Sequence, residues 1–464
     1  MRKCAGLFRL ASPLDEQLAP EGLIPTLPID SDCRIFVFMG EKAIAPSGRP
    51  IKILRILGRI NVGGPAVHAV LLTEGLNNQK LRSTLVTGTV GKSEGDMLYF
   101  AHQHGVQPVI VPELGREISW RDDLVAFWKL YRIFRKECPD IVHTHTAKAG
   151  TLGRIAAVFA RVPIRIHTFH GHIFHHYFGP LRTRLFILIE RLLALFTMKI
   201  IAISNAQLTD LSVRYRIAAQ DKFRVIPIGL DLSPLLQSRG RDRSRGPTPD
   251  DRETVIGFIG RLVPVKNPQM ALRVFERVVR HGAMGRIRLV VAGDGELRLK
   301  LQAEVTRAGL DGRVLFTGWR QDLSKLYSDL DLVIVTSLNE GTPVVLIEAM
   351  ASGLPFVATR VGGIMDLMLG PEQVVRGPEG RSVFSVFANG VLAEPADEQG
   401  FAAALEYLLR DPALMVRMGS EGRQFVRDRF STERLLADIQ TLYRDCLVQQ
   451  EGLHVERAGR TVRA

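Results

Sequence analysis

The stretch that decides the fold reads Ser337-Leu338-Asn339-Glu340-Gly341-Thr342-Pro343-Val344-Val345-Leu346-Ile347-Glu348-Ala349-Met350-Ala351-Ser352-Gly353. The run before it, Asp331 to Thr336, is apolar, β-branched and of strand length. Gly341 permits a tight turn, Pro343 suits the first helical position, and the apolar residues that follow need burial on a helix. The stretch therefore predicts a strand that leads directly into a buried helix, which is a ligand-facing position.

Two glutamates flank the predicted start of this helix. Glu340 precedes the helix and Glu348 lies inside it, so helical rise separates their carboxylates by roughly 12 Å. That is too far for the acid and base pair of a glycoside hydrolase, but it is about the length of a sugar diphosphate. The N–H groups at the helix N-terminus would suit a phosphate. The alternative, one capping residue and one satisfied buried acid, stays open.

Short strands and helices alternate along the rest of the chain. The first series predicts strands at 51–57, 83–86, 140–144, 164–168, 199–203 and 224–226, and helices at 65–76, 120–134, after 148 and at 181–197. The second series predicts strands at 254–259, 287–292, 313–317, 331–336 and 355–358, and helices at 268–281, 296–308, 321–328 and near 363. This alternation predicts an α/β protein with two doubly wound parallel sheets.

The domain boundaries follow from where the periodic pattern stops. Residues 1–50 lack a sustained period, and we interpret them as an irregular N-terminal extension. We assign 51–232 to an N-terminal domain, 233–253 to a linker, 254–430 to a C-terminal domain, 431–450 to a bridging helix and 451–464 to a tail. Two such domains would hold a ligand between the carboxyl ends of their sheets.

Composition narrows the class of protein. The 464 residues are 46% hydrophobic and 23% charged, as expected of a soluble globular protein with full cores. The net charge of +13 favours anionic partners, but the chain has no nucleic-acid-binding motif, so we expect no nucleic-acid partner. Four scattered cysteines, no signal peptide and no apolar run of spanning length predict a reduced, cytoplasmic protein.

Two loops carry residue types that suit a phosphate. Gly260-Arg261 and Lys266 follow the strand at 254–259, where two cations could neutralise a leaving diphosphate without a metal. Gly63 and Gly64 follow the first strand and open a helix, so backbone N–H groups could approach a phosphate or sugar. A plain β–α turn is the alternative interpretation of the two glycines.

Histidines are concentrated at the ends of two neighbouring strands. His143-Thr144-His145 ends one strand, and His167-Thr168-Phe169-His170-Gly171-His172, with His175 and His176, ends the next. A metal site is one interpretation, because imidazole is a common metal ligand. No acidic ligand is near in sequence, so we favour one or two cleft histidines that position substrate, and we expect no metal. Neither domain has Gly-x-Gly-x-x-Gly after its first strand, which disfavours a nicotinamide dehydrogenase.

Taken in this order, the motifs resemble those of the retaining glycosyltransferases of family four, whose GT-B fold pairs two facing Rossmann-like domains. The resemblance runs roughly from Ile51 to Tyr443. Its most specific parts are Asn339-Glu340-Gly341-Thr342-Pro343 with Glu348 to Pro355, Val361-Gly362-Gly363, and Gly260-Arg261 with Lys266. The frequent Pro-Glu pair after the Gly-Gly turn is replaced here by Met365-Asp366, which bears on the identity of the donor sugar.

The resemblance implies a role for each matching residue. The implied catalytic set is His170 beside the transferred sugar, Arg261 and Lys266 on the diphosphate, and Glu340 on the sugar hydroxyls. Glu348 would bind the ribose, the loops at Gly63, Gly64, Gly260, Gly341 and Thr342 would line the donor site, and the backbone near Gly318 and Trp319 would hold the base. The implied reaction is metal-independent transfer from a nucleotide-diphosphate sugar, expected to be a UDP-sugar, with retention at the anomeric carbon and no cofactor.

The sequence indicates the class of acceptor less closely than that of the donor, and it leaves two rival functions open. His172 to Phe178, Arg182, Arg184 and the apolar helix beyond them predict a basic and aromatic surface beside the cleft. A saccharide or lipid-linked acceptor, used in cell-surface polysaccharide or glycolipid synthesis at the inner face of a membrane, would fit this surface, and a buried helix with a solvated edge is the alternative. A UDP-sugar 2-epimerase of the same shape and a catalytically silent polysaccharide-assembly protein remain as rival functions.

Overall fold

The computed structural model describes residues 49–91, 95–115, 119–171, 179–237, 253–282, 286–376 and 383–461, with side chains up to 452. Several sequence predictions lie wholly or mostly outside these ranges. They are the extension at 1–50, most of the linker at 233–253 and the aromatic surface at 172–178, whereas the last helix continues through most of the predicted tail, to residue 461.

The first domain is built on a parallel sheet. Its strands are β1 (Ile51–Arg59), β2 (Leu81–Gly88), β3 (Val109–Ile110), β4 (Ile141–His145), β5 (Ile164–Phe169), β6 (Lys199–Ala202) and β7 (Phe223–Val225). The spatial order is β3-β2-β1-β4-β5-β6-β7, so the chain reverses direction across the sheet between β1 and β4. Ligands bind at such a reversal point, outside the carboxyl ends of the strands.

Helices cover both faces of this sheet. They are α1 (Gly64–Gly75), α2 (Leu98–Gln103), α3 (Trp120–Glu137), α4 (Ala147–Phe159), α5 (Pro180–Leu195) and α6 (Asn205–Thr209). Because crossovers between parallel strands are right-handed, the strand order places α1 and α2 on one face and α3, α4 and α5 on the other.

The second domain repeats the plan with an antiparallel addition. A short helix, α7 (Ser233–Gln237), precedes the strands β8 (Thr254–Ile259), β9 (Ile287–Ala292), β10 (Val314–Gly318), β11 (Leu332–Val335), β12 (Phe356–Thr359), β13 (Gln373–Arg376), β14 (Val383–Val386) and β15 (Val391–Ala393). Their order is β10-β9-β8-β11-β12-β15-β14-β13, and only the pairs β13–β14 and β14–β15 are antiparallel within the described sheet. The reversal point here lies between β8 and β11.

The helices of the second half follow in chain order. They are α8 (Pro268–His281), α9 (Arg298–Arg307), α10 (Leu323–Ser328), α11 (Val344–Ala351), α12 (Glu398–Leu409), α13 (Pro412–Arg429) and α14 (Thr432–Thr461). Within the described ranges, no helix combines the length and apolarity needed to cross a bilayer.

The predicted alternation is confirmed, in places to the residue. The strands at 254–259 and 287–292 and the helix at 268–281 have the predicted bounds. The helix expected near 363 is a 3₁₀ segment, Gly362–Leu367, and Pro343 caps α11 rather than opening it. The pattern did not predict α2, α6, α12, α13 or the antiparallel strands; of these, α2, α6 and the antiparallel strands have too few residues to show a period.

The last helix returns to the first domain. Leu435, Ile439 and Leu442 of α14 are buried in one cluster with Ile53 and Ile141 of the first sheet. Conversely, Ile228, Leu230, Leu232 and Leu235, which follow the first sheet, are buried with α11 and β12 of the second domain. The chain therefore crosses between the domains twice, and Leu230 N donates to the carbonyl of Phe430 (2.8 Å) where the two crossings meet.

This packing predicts how substitutions in α14 affect stability. Replacing fully buried Ile439 by Ala should lower the free energy of unfolding by about 2–5 kcal/mol, because the lost methyl groups leave a cavity. The matched control is Val448→Ala in the same helix, where the side chain is 52% exposed and the expected change is within about 0.5 kcal/mol. Urea unfolding followed by fluorescence measures both, and equal midpoints would contradict the assignment of α14 to the core.

Candidate active site

An ion pair at the carboxyl end of the second sheet joins two of the predicted site residues. Lys266 lies in the loop after β8, and its Nζ donates to Oε1 of Glu340 at 2.5 Å. Ser337 Oγ donates to the same oxygen at 2.6 Å, and the Glu340 side chain is only 8% exposed. The carboxylate is thus fixed from two directions just before α11 begins.

Hydrogen bonds between loops hold this ion pair in place. Leu338 N donates to the carbonyl of Val265 at 2.8 Å, and Thr336 Oγ1 donates to the carbonyl of Asn267 at 2.8 Å. Behind them, Thr359 Oγ1 donates to the carbonyl of Ser337 at 2.6 Å. The first two bonds join the loops after β8 and β11, and the third joins the loop after β11 to the end of β12, so the three strand ends form one connected unit.

The second glutamate has a partner of its own. Glu348 is half-buried on α11, and the hydroxyl of fully buried Tyr327 donates to its Oε2 at 2.7 Å. Burial raises the pKa of Glu348 to about 7, and the hydrogen bond from Tyr327 opposes that rise. A carboxylate with such a pKa changes its charge near neutral pH, so a ligand that donates hydrogen bonds to it would favour the ionised form.

Glycines allow the strand ends of the second sheet to pack closely. A Cβ added at Gly293, after β9, would lie 1.9 Å from the carbonyl oxygen of Gly260, after β8. Gly293 N also donates to the carbonyl of Gly318, at the end of β10, at 2.8 Å. Half-buried Arg261 follows Gly260 directly. The predicted base-binding and diphosphate-binding loops are consequently neighbours.

The two domains approach each other at the predicted donor loops. A Cβ at Gly341 would lie 2.4 Å from the carbonyl oxygen of His170, and one at Gly64 would lie 2.9 Å from the Val344 side chain. The N-termini of α1 and α11 therefore face each other, with Gly63 in a glycine-favouring conformation (φ 156°) as the N-cap of α1. The Oγ1 of Thr342, at this meeting point, is buried with no hydrogen-bond partner among the described residues.

Two further contacts close the sides of this region. The indole of Trp319, which is 38% exposed, would lie 3.3 Å from a Cβ at Gly95 of the first domain. Asp366, at the position where the sequence departs from the family pattern, accepts a hydrogen bond from Ala206 N at 3.0 Å. Asp366 therefore takes part in the contact between domains.

The histidines separate into a cleft group and a core group. His145 Nδ1 and His170 Nε2 are hydrogen-bonded at 2.9 Å, and the ring of His68 lies edge-on to His170 with centroids 4.7 Å apart. His143 is instead buried between Tyr443 Oη (2.7 Å) and Thr168 Oγ1 (2.7 Å), and His167 is buried against Thr144 Oγ1 (2.9 Å). Of the four described histidines at these strand ends, His145 and His170 reach the cleft group.

Burial keeps the His170 imidazole neutral. It lowers the pKa of His170 to about 3, and it lowers the pKa of His68 and His145 well below the ordinary value, with nearby positive groups adding to the effect for these two. A neutral imidazole donates from one nitrogen and accepts at the other, so His170 can bind a sugar hydroxyl in either direction.

Sequence reasoning missed His68 and Tyr327. His68 lies one turn after Gly64 on α1, and that spacing places it on the same face as the glycine, a signal that could have identified it. Tyr327 has no such signal, because its contact with Glu348 spans 21 positions and depends on the packing of α10 against α11.

Together these groups form a cleft that can bind an extended anionic ligand. Cationic Arg261 and Lys266 and the N-terminus of α11 provide positive potential at its centre, whereas Glu340 and Glu348 provide acceptors for hydroxyl groups on either side. Within the described ranges, the ligand-type side chains that lie close enough together to hold one metal ion are His68, His145 and His170.

Two family models match the chain, one on each domain. Glycosyltransferase Family 4 matches residues 62–234, and Glycosyl transferases group 1 matches residues 253–411. The matched ranges contain all of the predicted site residues.

Curated relatives match over most of the chain. A UDP-Gal:alpha-D-GlcNAc-diphosphoundecaprenol alpha-1,3-galactosyltransferase from Escherichia coli is 29% identical over 355 residues, which are 74% of this chain and 85% of that protein. The capsular polysaccharide biosynthesis glycosyltransferase CapM from Staphylococcus aureus is 25% identical over 348 residues, 74% of this chain and 86% of CapM.

Solved structures match the fold. The Anabaena protein Alr3699/HepE, crystallised with UDP and glucose, superposes with a TM-score of 0.66 at 21% identity, over 85% of this chain and 99% of that one. Sucrose-phosphate synthase from Thermosynechococcus elongatus gives 0.65 at 20% identity, over 86% of this chain and all of the other. With two facing doubly wound domains and matches to both family models, the chain belongs to the family 4 glycosyltransferases of the GT-B fold.

Proposed function

We propose that this glycosyltransferase moves a sugar from a UDP-sugar to a hydroxyl group of a lipid-linked saccharide, with retention at the anomeric carbon, during the synthesis of a cell-surface polysaccharide or glycolipid. The observation that carries the proposal is the Lys266–Glu340 ion pair at the start of α11, directly opposite His170 of the other domain. The names of the E. coli relative, which uses UDP-Gal and a diphosphoundecaprenol-linked GlcNAc, and of the Anabaena structure with UDP support this donor and acceptor class.

The donor would lie along the ends of the second sheet. Glu348 would accept hydrogen bonds from the ribose, while the backbone at Gly318 and the indole of Trp319 would hold the base. The diphosphate would contact Arg261, Lys266 and the N–H groups at Gly341 and Thr342, with Gly63 and Gly64 approaching from the other domain. The sugar would then lie between Glu340 and His170.

The chemical step needs charge stabilisation rather than an acidic nucleophile. The bond between the anomeric carbon and the diphosphate oxygen breaks, the acceptor oxygen bonds to the same face, and the acceptor proton passes to the departing phosphate oxygen. Arg261, Lys266 and the α11 N-terminus stabilise the negative charge that develops on the diphosphate, so these protein groups supply the charge that a metal would otherwise provide. We therefore propose a metal-independent reaction without a cofactor.

An apolar surface on the first domain supports action at a membrane. Five leucines of α5 form one stripe at helical spacing and are between 52% and 79% exposed; they are Leu181, Leu185, Leu188, Leu192 and Leu195. The opposite face of α5 points into the domain, and its buried Glu190 forms an ion pair with Arg154 of α4 at 2.7 Å. The inward face also buries Leu193 and Ala194, so α5 differs from an ordinary surface helix in that its outward face is apolar as well.

The helices α3 and α4, which cover the same face of the first sheet as α5, also expose apolar side chains. Trp120, Leu124 and Trp128 of α3 are between 51% and 73% exposed, and Phe159 at the end of α4 is 65% exposed. We call these side chains and the five α5 leucines the outer apolar face. Exposed Arg182, Arg184 and Arg191 lie on α5 beside the stripe. Apolar burial combined with basic charge favours an anionic bilayer, and we propose peripheral binding at the cytoplasmic leaflet.

The first test concerns the diphosphate-binding lysine. A panel of UDP-sugars scored by thermal shift identifies the donor, since a ligand of the native state raises its stability. Replacing Lys266 by Ala should then lower the rate of acceptor-dependent UDP release by about 100- to 1,000-fold without unfolding the protein. The matched control, Lys300→Ala at an exposed site on α9, should retain the wild-type rate. Wild-type turnover in folded Lys266→Ala, or formation of an epimer without UDP release, would contradict the proposal.

The second test uses the pH dependence of UDP binding. Because ribose hydroxyls donate to the carboxylate, UDP should bind the ionised form of Glu348, and its affinity should fall by up to about tenfold per pH unit below the pKa of about 7. Tyr327→Phe removes a hydrogen bond that lowers this pKa, so the loss of affinity should begin at higher pH.

Titration calorimetry from about pH 8 to about pH 5.5 measures this dependence. Glu348→Gln provides the reference, because the titration of the nucleotide phosphate is the same for every variant. Parallel curves for the wild-type protein and Glu348→Gln would show that Glu348 does not contact the nucleotide.

The third test concerns the outer apolar face. Wild-type protein should float with vesicles that contain an anionic phospholipid and much less with phosphatidylcholine alone. Leu188→Glu combined with Leu192→Glu should reduce flotation by at least about tenfold, because two exposed leucines lose their burial in the bilayer. The control, Leu299→Glu with Val416→Glu, changes two exposed apolar residues of the second domain and should float normally. Absence of wild-type flotation, or equal flotation of both double variants, argues against the surface.

A further inference from the structure

Three histidines from separate elements meet beside the contact between domains. His68 comes from the first turns of α1, His145 ends β4, and His170 directly follows β5. One ring nitrogen from each lies within 4.8 Å of the others, and this group is the three-histidine cluster. The ring centroids of His68 and His145 are 5.7 Å apart, and those of His145 and His170 are 5.2 Å apart.

The cluster contains ring nitrogens that lack partners. Both nitrogens of His68 and Nε2 of His145 are buried and make no hydrogen bond to any described residue. The two side chains are 1% and 0% exposed, respectively. Buried polar groups in native proteins almost always have a partner, so three such atoms in one place need an explanation. By contrast, neighbouring His143 and His167 are satisfied by hydroxyl groups.

We propose that the three-histidine cluster binds one divalent transition-metal ion of the zinc class. Three imidazole nitrogens and no thiolate or carboxylate form a donor set that suits Zn²⁺, Co²⁺ or Ni²⁺ rather than Mg²⁺ or Ca²⁺. An ion at the centre of the cluster would give His68 and His145 the partner that they lack. His170 is the partly exposed member, so the ion would enter from the cleft, and its fourth position would face the cleft.

The site implies regulation of the proposed sugar transfer, and this consequence rests on the proposed function. A metal-bound imidazole nitrogen no longer exchanges hydrogen bonds with a sugar hydroxyl, so an ion held by His170 competes with the productive donor. The transfer reaction itself uses no metal, whereas an ion of the zinc class inhibits it.

Metal binding is measured on the untagged protein without donor or acceptor, and Co²⁺ serves as the spectroscopic probe. After chelator treatment, the wild-type protein should bind one Co²⁺ with the intense visible bands of a four-coordinate ion, and Zn²⁺ should displace it. His68→Ala and His145→Ala should each weaken Co²⁺ binding by more than about 100-fold, because even loss of an outer-shell partner costs about 10- to 100-fold. The control is His102→Ala, at an exposed histidine of α2 outside the cluster, which should bind Co²⁺ as the wild type does.

Two outcomes overturn the site. One is a wild-type protein without the four-coordinate spectrum, and the other is a Co²⁺ affinity that His68→Ala leaves unchanged, which would assign the ion to His172, His175, His176 or another histidine. A measurement without variants guards against misfolding: Zn²⁺ should raise the Tm of the wild-type protein in a concentration-dependent way. Failure of sugar transfer leaves these binding results intact, so the metal site and the proposed function are tested separately.

Discussion

The site depends on the close approach of Gly341 to the carbonyl oxygen of His170, because this contact fixes the distance between the two sheets. A Cβ on residue 341 would lie 2.4 Å from this backbone oxygen, so only glycine fits at this position. Gly64 opposite Val344 repeats the arrangement at the starts of α1 and α11. The two helix N-termini consequently face one another, and their N–H groups face the same region.

Between the two sheets, the charged side chains are oriented by ion pairs and hydrogen bonds within the protein rather than by water. Lys266 and Glu340 are paired, and Glu340 also accepts from Ser337. His170 remains neutral because burial lowers its pKa. A pre-organised arrangement of this kind reorganises little when a charged ligand binds, which is where electrostatic stabilisation in enzymes is most effective.

The first domain is completed by a segment far away in sequence. Arg55 of β1 is fully buried and donates to Tyr443 of α14 at 2.9 Å, and Tyr443 also contacts His143. Because His143 packs against His145 with centroids 4.3 Å apart, α14 supports the wall on which the cleft histidines lie. The same domain exposes five leucines of α5 and pairs buried Glu190 with Arg154, so this helix is apolar on the side that faces solvent.

The sequence by itself determined the alternating elements, the two sheets, the positions of Lys266, Glu340 and His170 after strands, and the position of Glu348 on a helix, because periodicity and turn chemistry are local properties. Only the tertiary structure decided which of these side chains meet. The pairing of Lys266 with Glu340, the hydrogen bond from Tyr327 to Glu348, and the convergence of His68 with His145 and His170 all join distant segments. The short elements α2 and α6 were also missed, since tertiary packing stabilises them more than their own pattern does. The local sequence determines which secondary structure a segment forms, whereas contacts between segments depend on the packing of the whole chain.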